Sequence, residues 1–91
     1  MKTVYKYKLP TTPAVVKLNL PFGYRILTTA MQGDELVFWC LVDSDEKVMI
    51  EVIVQVAYTG DEIQSSTPHY IGTVQYNELV YHVFELPVLP F

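Results

Sequence analysis

The chain has 91 residues, of which 51% are apolar and 18% are charged, and it carries a net charge of −4 with five lysines and one arginine. A chain of this length forms one domain, and its few cations exclude a protein that wraps long nucleic acid, although one or two cations suffice for a small anion. No apolar run approaches the ~20 residues of a membrane helix and no signal peptide opens the chain, so we expect a soluble, cytoplasmic protein. The excess of apolar residues favours a homo-oligomer, because a subunit interface buries them.

The first half of the chain alternates apolar and polar residues with the period of two that is typical of strands. Residues 3–9 place two tyrosines and a leucine opposite two lysines, and residues 14–20 place a valine and two leucines opposite Lys17 and Asn19. Residues 24–32 and 35–42 predict a hairpin that turns at Gly33, where glycine supplies the positive φ of a tight turn.

The second half contains one long strand, one long loop and a second hairpin. Residues 48–58 are the longest strand candidate, and Glu51 and Gln55 interrupt its apolar run on one face. Residues 59–69 form the loop, and residues 70–75 and 79–86 form the hairpin. The sequence therefore predicts an all-β domain over residues 1–86, with about seven short, mainly antiparallel strands in a small sandwich or barrel. An apolar C-terminal tail follows at residues 87–91, because its prolines lack the N–H donor of a central strand.

Residues that carry catalysis or hold metals are sparse. The two histidines, His69 and His82, have no cysteine or carboxylate at a familiar ligand spacing, which predicts no metal and no cofactor. Cys40 lies in an apolar strand that disfavours its thiolate, and the adjacent acidic pairs lie in turns. His82 shares a strand face with Val80 and Phe84, which predicts a packed side chain with one hydrogen-bonded nitrogen. We expect no enzymatic activity.

Aromatic residues and the long loop carry a binding signal. Seven tyrosines, four phenylalanines and one tryptophan suit stacking on bases or protein interfaces, although cross-strand pairing within the sheet accounts for most of them. Loops as long as residues 58–70 are often functional, and simple connection is an equal alternative. The candidate ligand-binding residues are a phosphate contact at Arg25, stacking residues at Trp39, Tyr58 and Tyr70, hydroxyl and backbone donors at Thr59 and Gly60, and His69 at the loop's end. For Arg25 the alternative is an exposed strand cation, and for Trp39 it is core packing.

Four motifs along the chain resemble a widespread family of small phage-encoded proteins labelled as a domain of unknown function. The family runs as Y-K-Y-x-L, L-W-A-L-V-D, G-T-G-H-P, Y-I-G-T-x-Q and H-V-F-E. The matching residues are Tyr5, Lys6, Tyr7 and Leu9; Trp39, Leu41, Val42 and Asp43; Tyr70, Ile71, Gly72, Thr73 and Gln75; and His82, Val83, Phe84 and Glu85. The third motif departs: Thr59 and Gly60 remain, but Asp61 and Glu62 replace His-Pro. Such negative charge weakens a hold on phosphate or changes which ligand fits.

The resemblance implies a phage anti-defence protein of the host cytoplasm. Proteins of this size and kind act as sponges, which are β-rich oligomers that bind and sequester a cyclic nucleotide immune signal of systems such as CBASS or Thoeris without cleaving it. The alternative is a protein–protein interaction module, either an inhibitor of a host protein or a minor virion component. The apolar tail ending in Phe91 would then act as an arm that lies on a partner.

Overall fold

Seven strands form where the alternating pattern predicts them. In the computed structural model, which describes residues 1–88, both hairpin turns use left-handed backbone, at Gly33 (φ 62°) and at Asn77 (φ 56°). The prediction of an all-β fold is confirmed, and its arrangement is sandwich-like. The strands are β1 (Lys2–Leu9), β2 (Ala14–Pro21), β3 (Arg25–Gln32), β4 (Glu35–Asp43), β5 (Met49–Tyr58), β6 (His69–Tyr76) and β7 (Leu79–Leu86).

The strands build two antiparallel sheets whose inner faces enclose the core. The three-stranded sheet has the order β1-β4-β3, and the four-stranded sheet has the order β2-β5-β7-β6. The hairpins β3–β4 and β6–β7 pair locally, whereas β1 reaches β4 and β2 reaches β5 only across intervening chain. The domain is thin, with extents of 40 × 36 × 16 Å, so each sheet presents a broad outer face.

The core between the sheets is dominated by aliphatic residues, with two aromatic anchors. Phe38 stacks on Tyr7 with ring centroids 5.3 Å apart, and the buried Tyr81 hydroxyl donates to the Thr11 carbonyl oxygen at 2.9 Å. Cys40 is fully buried here, and desolvation raises the pKa of its thiol to about 12, so it stays protonated at neutral pH. The remaining buried members of this cluster are Leu9, Leu20, Leu36, Val42, Val52, Val54, Val56, Val74 and Val83.

The two sheets approach each other closely where β3 lies against β6. A Cβ atom added to Gly72 would stand 2.7 Å from Thr29 Cγ2, which is closer than two carbons can pack. Thr29 is buried, and its hydroxyl donates to the Val37 carbonyl oxygen at 2.7 Å, so its methyl group cannot turn away without losing that bond. Both strands are bulged at this junction, β3 between Ile26 and Thr28 and β6 between Tyr70 and Gly72. Glycine is therefore required for the close approach.

The C-terminal tail is described only as far as Pro87 and Val88, which are both exposed. Residues 89–91 lie outside the described part of the chain, and so does the docking arm predicted to end at Phe91. Within residues 1–88, no helix has the length and apolar character to cross a membrane.

Candidate functional site

Most of the positive charge lies on the outer face of the three-stranded sheet. Alternation along β1 turns Tyr5, Tyr7 and Leu9 toward the core side, which sends the intervening lysines outward. Arg25, at the start of β3, is in register with an outward residue of β4 and is exposed. We call this surface the cationic face and define it by Lys2, Val4, Lys6, Lys8, Arg25, Thr28, Trp39 and Leu41.

Trp39 lies at the centre of the cationic face. It is half-buried on β4, with Lys6 of β1 opposite it on one side and Thr28 of β3 on the other. The next outward residue of β4, Leu41, lies between Val4 and Arg25 in the same way. Two of the predicted ligand residues, Arg25 and Trp39, are thus brought onto one surface, although 14 positions separate them in sequence.

The cations of this face differ in how far the protein neutralises them. The Lys8 ammonium lies 2.5 Å from a Glu35 carboxylate oxygen, which raises the pKa of Lys8 and lowers that of Glu35. Lys6 donates to the neutral amide oxygen of Gln32 at 2.6 Å. Among residues 1–88, neither Lys6 nor Arg25 forms an ion pair, and Arg25 makes no side-chain hydrogen bond. Their charges remain available to an anion.

The loop between β5 and β6 folds back onto the outer face of the four-stranded sheet. Gln55 is buried beneath it, and its amide donates to the Glu62 carbonyl oxygen at 2.9 Å and accepts from the Gln64 backbone N–H at 2.8 Å. At the loop's start, the Asp61 carboxylate accepts from the Tyr58 N–H at 2.8 Å, and Gly60 takes a φ of 95°. The loop is therefore anchored by the sheet. Asp61, one of the two acids that replace His-Pro, closes a turn.

A line of polar side chains crosses the same sheet, and we call it the histidine row: Thr59, His82, Thr73 and Tyr70. The Thr59 hydroxyl lies 2.8 Å from His82 Nε2, and the Thr73 hydroxyl lies 3.0 Å from His82 Nδ1. The Tyr70 hydroxyl continues the row at 2.7 Å from Thr73 Oγ1. The prediction of one hydrogen-bonded nitrogen on His82 is wrong, because both are engaged. Since the row satisfies its own polar atoms, a structural role for His82 fits this geometry.

The remaining predicted residues occupy other parts of the fold. Tyr58 faces the core, where its ring centroid lies 5.7 Å from that of Tyr81. Tyr70 is 57% exposed and packs against Phe84 with ring centroids 5.6 Å apart. His69, the first residue of β6, is exposed beside a shallow depression of about 270 Å³. The seven predicted residues therefore do not form one site. Two of them, Arg25 and Trp39, share the cationic face, where Arg25 and Lys6 form no ion pair within residues 1–88.

Sequence reasoning did not identify Lys6 as the neighbour of Trp39 on the cationic face. The strand pattern had already placed Lys6 opposite Tyr5 and Tyr7, but nothing local links it to Trp39. That link comes from the pairing of β1 with β4, which joins residues 33 positions apart. Gln55 was visible as an interruption of an apolar run, and its partners lie in the loop that follows.

A family model described as a domain of unknown function, DUF7352, matches residues 1–89. The chain belongs to the DUF7352 family. This agrees with the resemblance to a family of unknown function that the sequence motifs indicate. No curated protein and no solved structure matches the chain.

The side chains of this DUF7352 chain differ in the chemistry that they can support. Among residues 1–88, no group of three or more His, Cys, Asp or Glu side chains is arranged to hold a metal ion. Cys40 lies in the core with its pKa raised, away from either outer face. The cationic face, in contrast, combines a partly exposed indole with two unpaired cations, which are groups that stack on planar rings and hold phosphate.

Proposed function

We propose that this protein is a phage anti-defence protein that binds and sequesters a cyclic nucleotide immune signal without cleaving it, in the cytoplasm of the infected host. The observation that carries the proposal is the presence of Trp39 and Arg25 on one exposed sheet face. An indole stacks on a base, and a guanidinium holds phosphate by paired N–H donors. The phage assignment rests on the resemblance of the four sequence motifs.

Sequestration requires affinity and abundance rather than a catalytic group. A sponge works when its sites bind the signal more tightly, or in greater number, than the host effector does. The buried, protonated Cys40 and the hydrogen-bonded His82 support a protein that leaves the ligand intact. We also propose a homo-oligomer, because large apolar side chains away from the cationic face, such as Val15 and Leu79, are exposed, at 49% and 41%.

A second candidate is a protein–protein interaction module that inhibits a host protein or serves as a minor virion component. One end of the sandwich supports it, where Phe22, Val48 and Met49 are each more than half exposed. The Phe22 N–H donates to the Val48 carbonyl oxygen at 2.8 Å, which holds these residues side by side. We call these three residues the apolar end.

The two candidates are separated by thermal denaturation with a panel of cyclic di- and trinucleotides. A ligand that binds only the folded state raises the melting temperature further as its concentration increases. We expect such a shift, and we expect the nucleotide to be recovered chemically unchanged after heat denaturation. Phe22→Ser should leave the shift unaltered. A protein that shows no shift with any nucleotide, but binds a host polypeptide in a manner lost in Phe22→Ser, would support the second candidate.

A further inference from the structure

We propose that the ligand site is the cationic face and that it takes a ligand with a planar base and at least two phosphate groups, held on opposite flanks of Trp39. Lys6 contacts one phosphate from β1, and Arg25 contacts another from β3. This inference rests on the proposed function and deepens it. It names which of the two outer faces binds the ligand and which feature of the ligand the protein selects.

The spacing of the strands sets the distance between the Cα atoms of Lys6 and Arg25. Adjacent strands lie about 4.8 Å apart, so residues on β1 and β3 are separated by about 10 Å across the central strand β4. Lys6 is opposite Trp39, while Arg25 is opposite Leu41, two residues further along β4. Two residues of a strand span about 7 Å, which places the two Cα atoms about 12 Å apart on a diagonal.

This separation favours two anionic groups over one. The Lys6 side chain crosses β4 to reach Gln32 of β3, which is in register with Glu35, whereas Arg25 is in register with Leu41. The two charged groups therefore lie toward opposite ends of β4, with the strip of surface around Trp39 between them. A base stacked on the indole fills that strip and leaves one cation on each side of it. A ligand with phosphates on both sides of its base then uses both cations, whereas a mononucleotide uses one.

The charge pattern around the site singles out these two cations. Lys8 is paired with Glu35, and Lys2 is in register with Asp43, so both outer cations of β1 lie beside a carboxylate. The residues in register with Lys6 and Arg25 on this face are Trp39, Thr28, Leu41 and Val4, none of which is acidic. Glu35 also interacts with Lys6, but its charge is paired with Lys8, so the face keeps a net positive charge on a protein of net charge −4 and attracts a small anion.

Two free cations suit a small ligand better than a nucleic-acid strand. Binding of a strand draws its affinity from many neutralised phosphates, and each neutralised phosphate adds to the salt dependence. Lys6 and Arg25 provide two such contacts. Trp39 is also the only tryptophan of the chain, so quenching of tryptophan fluorescence reports on this face alone.

The test is a fluorescence titration of the full chain with cyclic di-AMP, cyclic di-GMP and cyclic tri-AMP, compared with AMP and GMP. We expect at least one cyclic ligand to quench Trp39 with a Kd tenfold or more below that of the matching mononucleotide. Lys6→Ala and Arg25→Ala should each weaken this binding about tenfold, because each removes a charge-assisted hydrogen bond to phosphate. The double variant should bind the cyclic ligand no better than the wild type binds the mononucleotide.

Lys17→Ala and Lys47→Ala serve as matched controls, because both lysines are exposed and lie off the cationic face. They should leave every Kd unchanged, and unaltered melting temperatures of all variants without ligand would show that the fold is intact. If cyclic nucleotides raise the melting temperature without quenching Trp39, and without sensitivity to the variants at Lys6 and Arg25, the location of the site is overturned while the proposed function stands. If no nucleotide binds, the proposed function fails as well.

Two further outcomes concern the ligand itself. A mononucleotide that binds as tightly as its cyclic dinucleotide would overturn the requirement for two phosphates. An oligo-dT strand that quenches Trp39 more strongly than any cyclic ligand, with an affinity that falls steeply with salt, would replace the small ligand by single-stranded nucleic acid.

Discussion

Two regions on the outer faces of the sandwich differ in whether their polar side chains are paired within the protein. On the four-stranded sheet, Gln55 is hydrogen-bonded at both ends of its amide, and both nitrogens of His82 contact threonine hydroxyls. On the three-stranded sheet, Lys6 contacts only a neutral amide, and Arg25 has no side-chain partner within residues 1–88. The polar side chains under the loop and along the histidine row are thus paired within the protein, whereas the cationic face keeps two cations without an ion pair close to Trp39.

This difference bears on which polar groups of a small β domain are available to a ligand. Polar groups that satisfy one another stabilise a local structure, and displacing them for a ligand has a free-energy cost. Arg25 has no partner within residues 1–88 and Lys6 has only a neutral amide, so an anion competes with water and with one hydrogen bond for these two cations. The length of the loop predicts a function, whereas the structure shows that two hydrogen bonds to Gln55 anchor the loop to the sheet.

The largest loss of stability is expected from substitution of Gln55, which anchors the loop between β5 and β6. Gln55→Ala breaks two hydrogen bonds at a buried position, and we expect the free energy of unfolding to fall by about 2–3 kcal/mol. Urea denaturation measures this loss, and hydrogen exchange should show lost protection of the Gln64 amide. Gln75→Ala, at an exposed position of β6, should change little. A full loss of nucleotide binding in folded Gln55→Ala would instead give the loop a direct role.

The next largest loss of stability is expected at the junction of the two sheets, where β3 lies against β6. Gly72→Ala inserts a methyl group 2.7 Å from Thr29 Cγ2, and such overpacking should reduce the free energy of unfolding by about 2 kcal/mol. Thr29→Ser removes the conflicting methyl group and keeps the hydroxyl that donates to Val37. The double variant Gly72→Ala with Thr29→Ser should therefore recover part of the lost stability. Additive losses in urea denaturation would show that another contact causes the damage.

The sequence predicts the strands well because each is encoded locally. Residues 3–9 show which side of β1 is apolar, and Gly33 marks the first hairpin, so the all-β fold follows from alternation and turn chemistry. The pairing of strands distant in sequence is not encoded in this way. The sequence therefore identifies Arg25 and Trp39 as separate candidates and does not predict that Lys6 lies beside Trp39.

The orientation of β7 shows a second limit of the sequence pattern. Both faces of this strand carry apolar residues, with Val80 and Phe84 on one side and Tyr81 and Val83 on the other. Period-two alternation identifies which residues share a face, but it cannot tell which of two apolar faces lies inward. The face with Tyr81 and Val83 is the buried one, so His82 lies on the outer side and reaches hydroxyl groups of two neighbouring strands or turns.

Substitution of His82 should have a smaller effect than the changes at Gln55 and Gly72. His82→Ala removes two side-chain hydrogen bonds from a partly exposed network, and we expect a loss of about 1 kcal/mol in urea denaturation with nucleotide binding unchanged. His69→Ala is the matched control, because His69 is exposed and its ring makes no hydrogen bond within residues 1–88. If His82→Ala abolished nucleotide binding without unfolding the protein, the four-stranded face would be the functional one.

The smallest effect is expected from removing the paired lysine of the cationic face, Lys8, and it is compared with the effect of removing the unpaired Lys6. Lys8 and Lys6 lie two residues apart on β1, but only Lys8 is paired with a carboxylate, that of Glu35. Because Glu35 engages the Lys8 ammonium, the double variant Lys8→Ala with Glu35→Gln, which removes both charges of the pair, should weaken nucleotide binding far less than Lys6→Ala does. The lowered pKa of Glu35 means that any stability from the pair is present at neutral pH and is lost as the pH falls through that pKa. Melting temperatures of wild type and Lys8→Ala should therefore differ slightly at neutral pH and converge in acid. A loss of binding in this double variant equal to that in Lys6→Ala would show that Lys8 contacts the ligand and that its pairing with Glu35 does not withhold it.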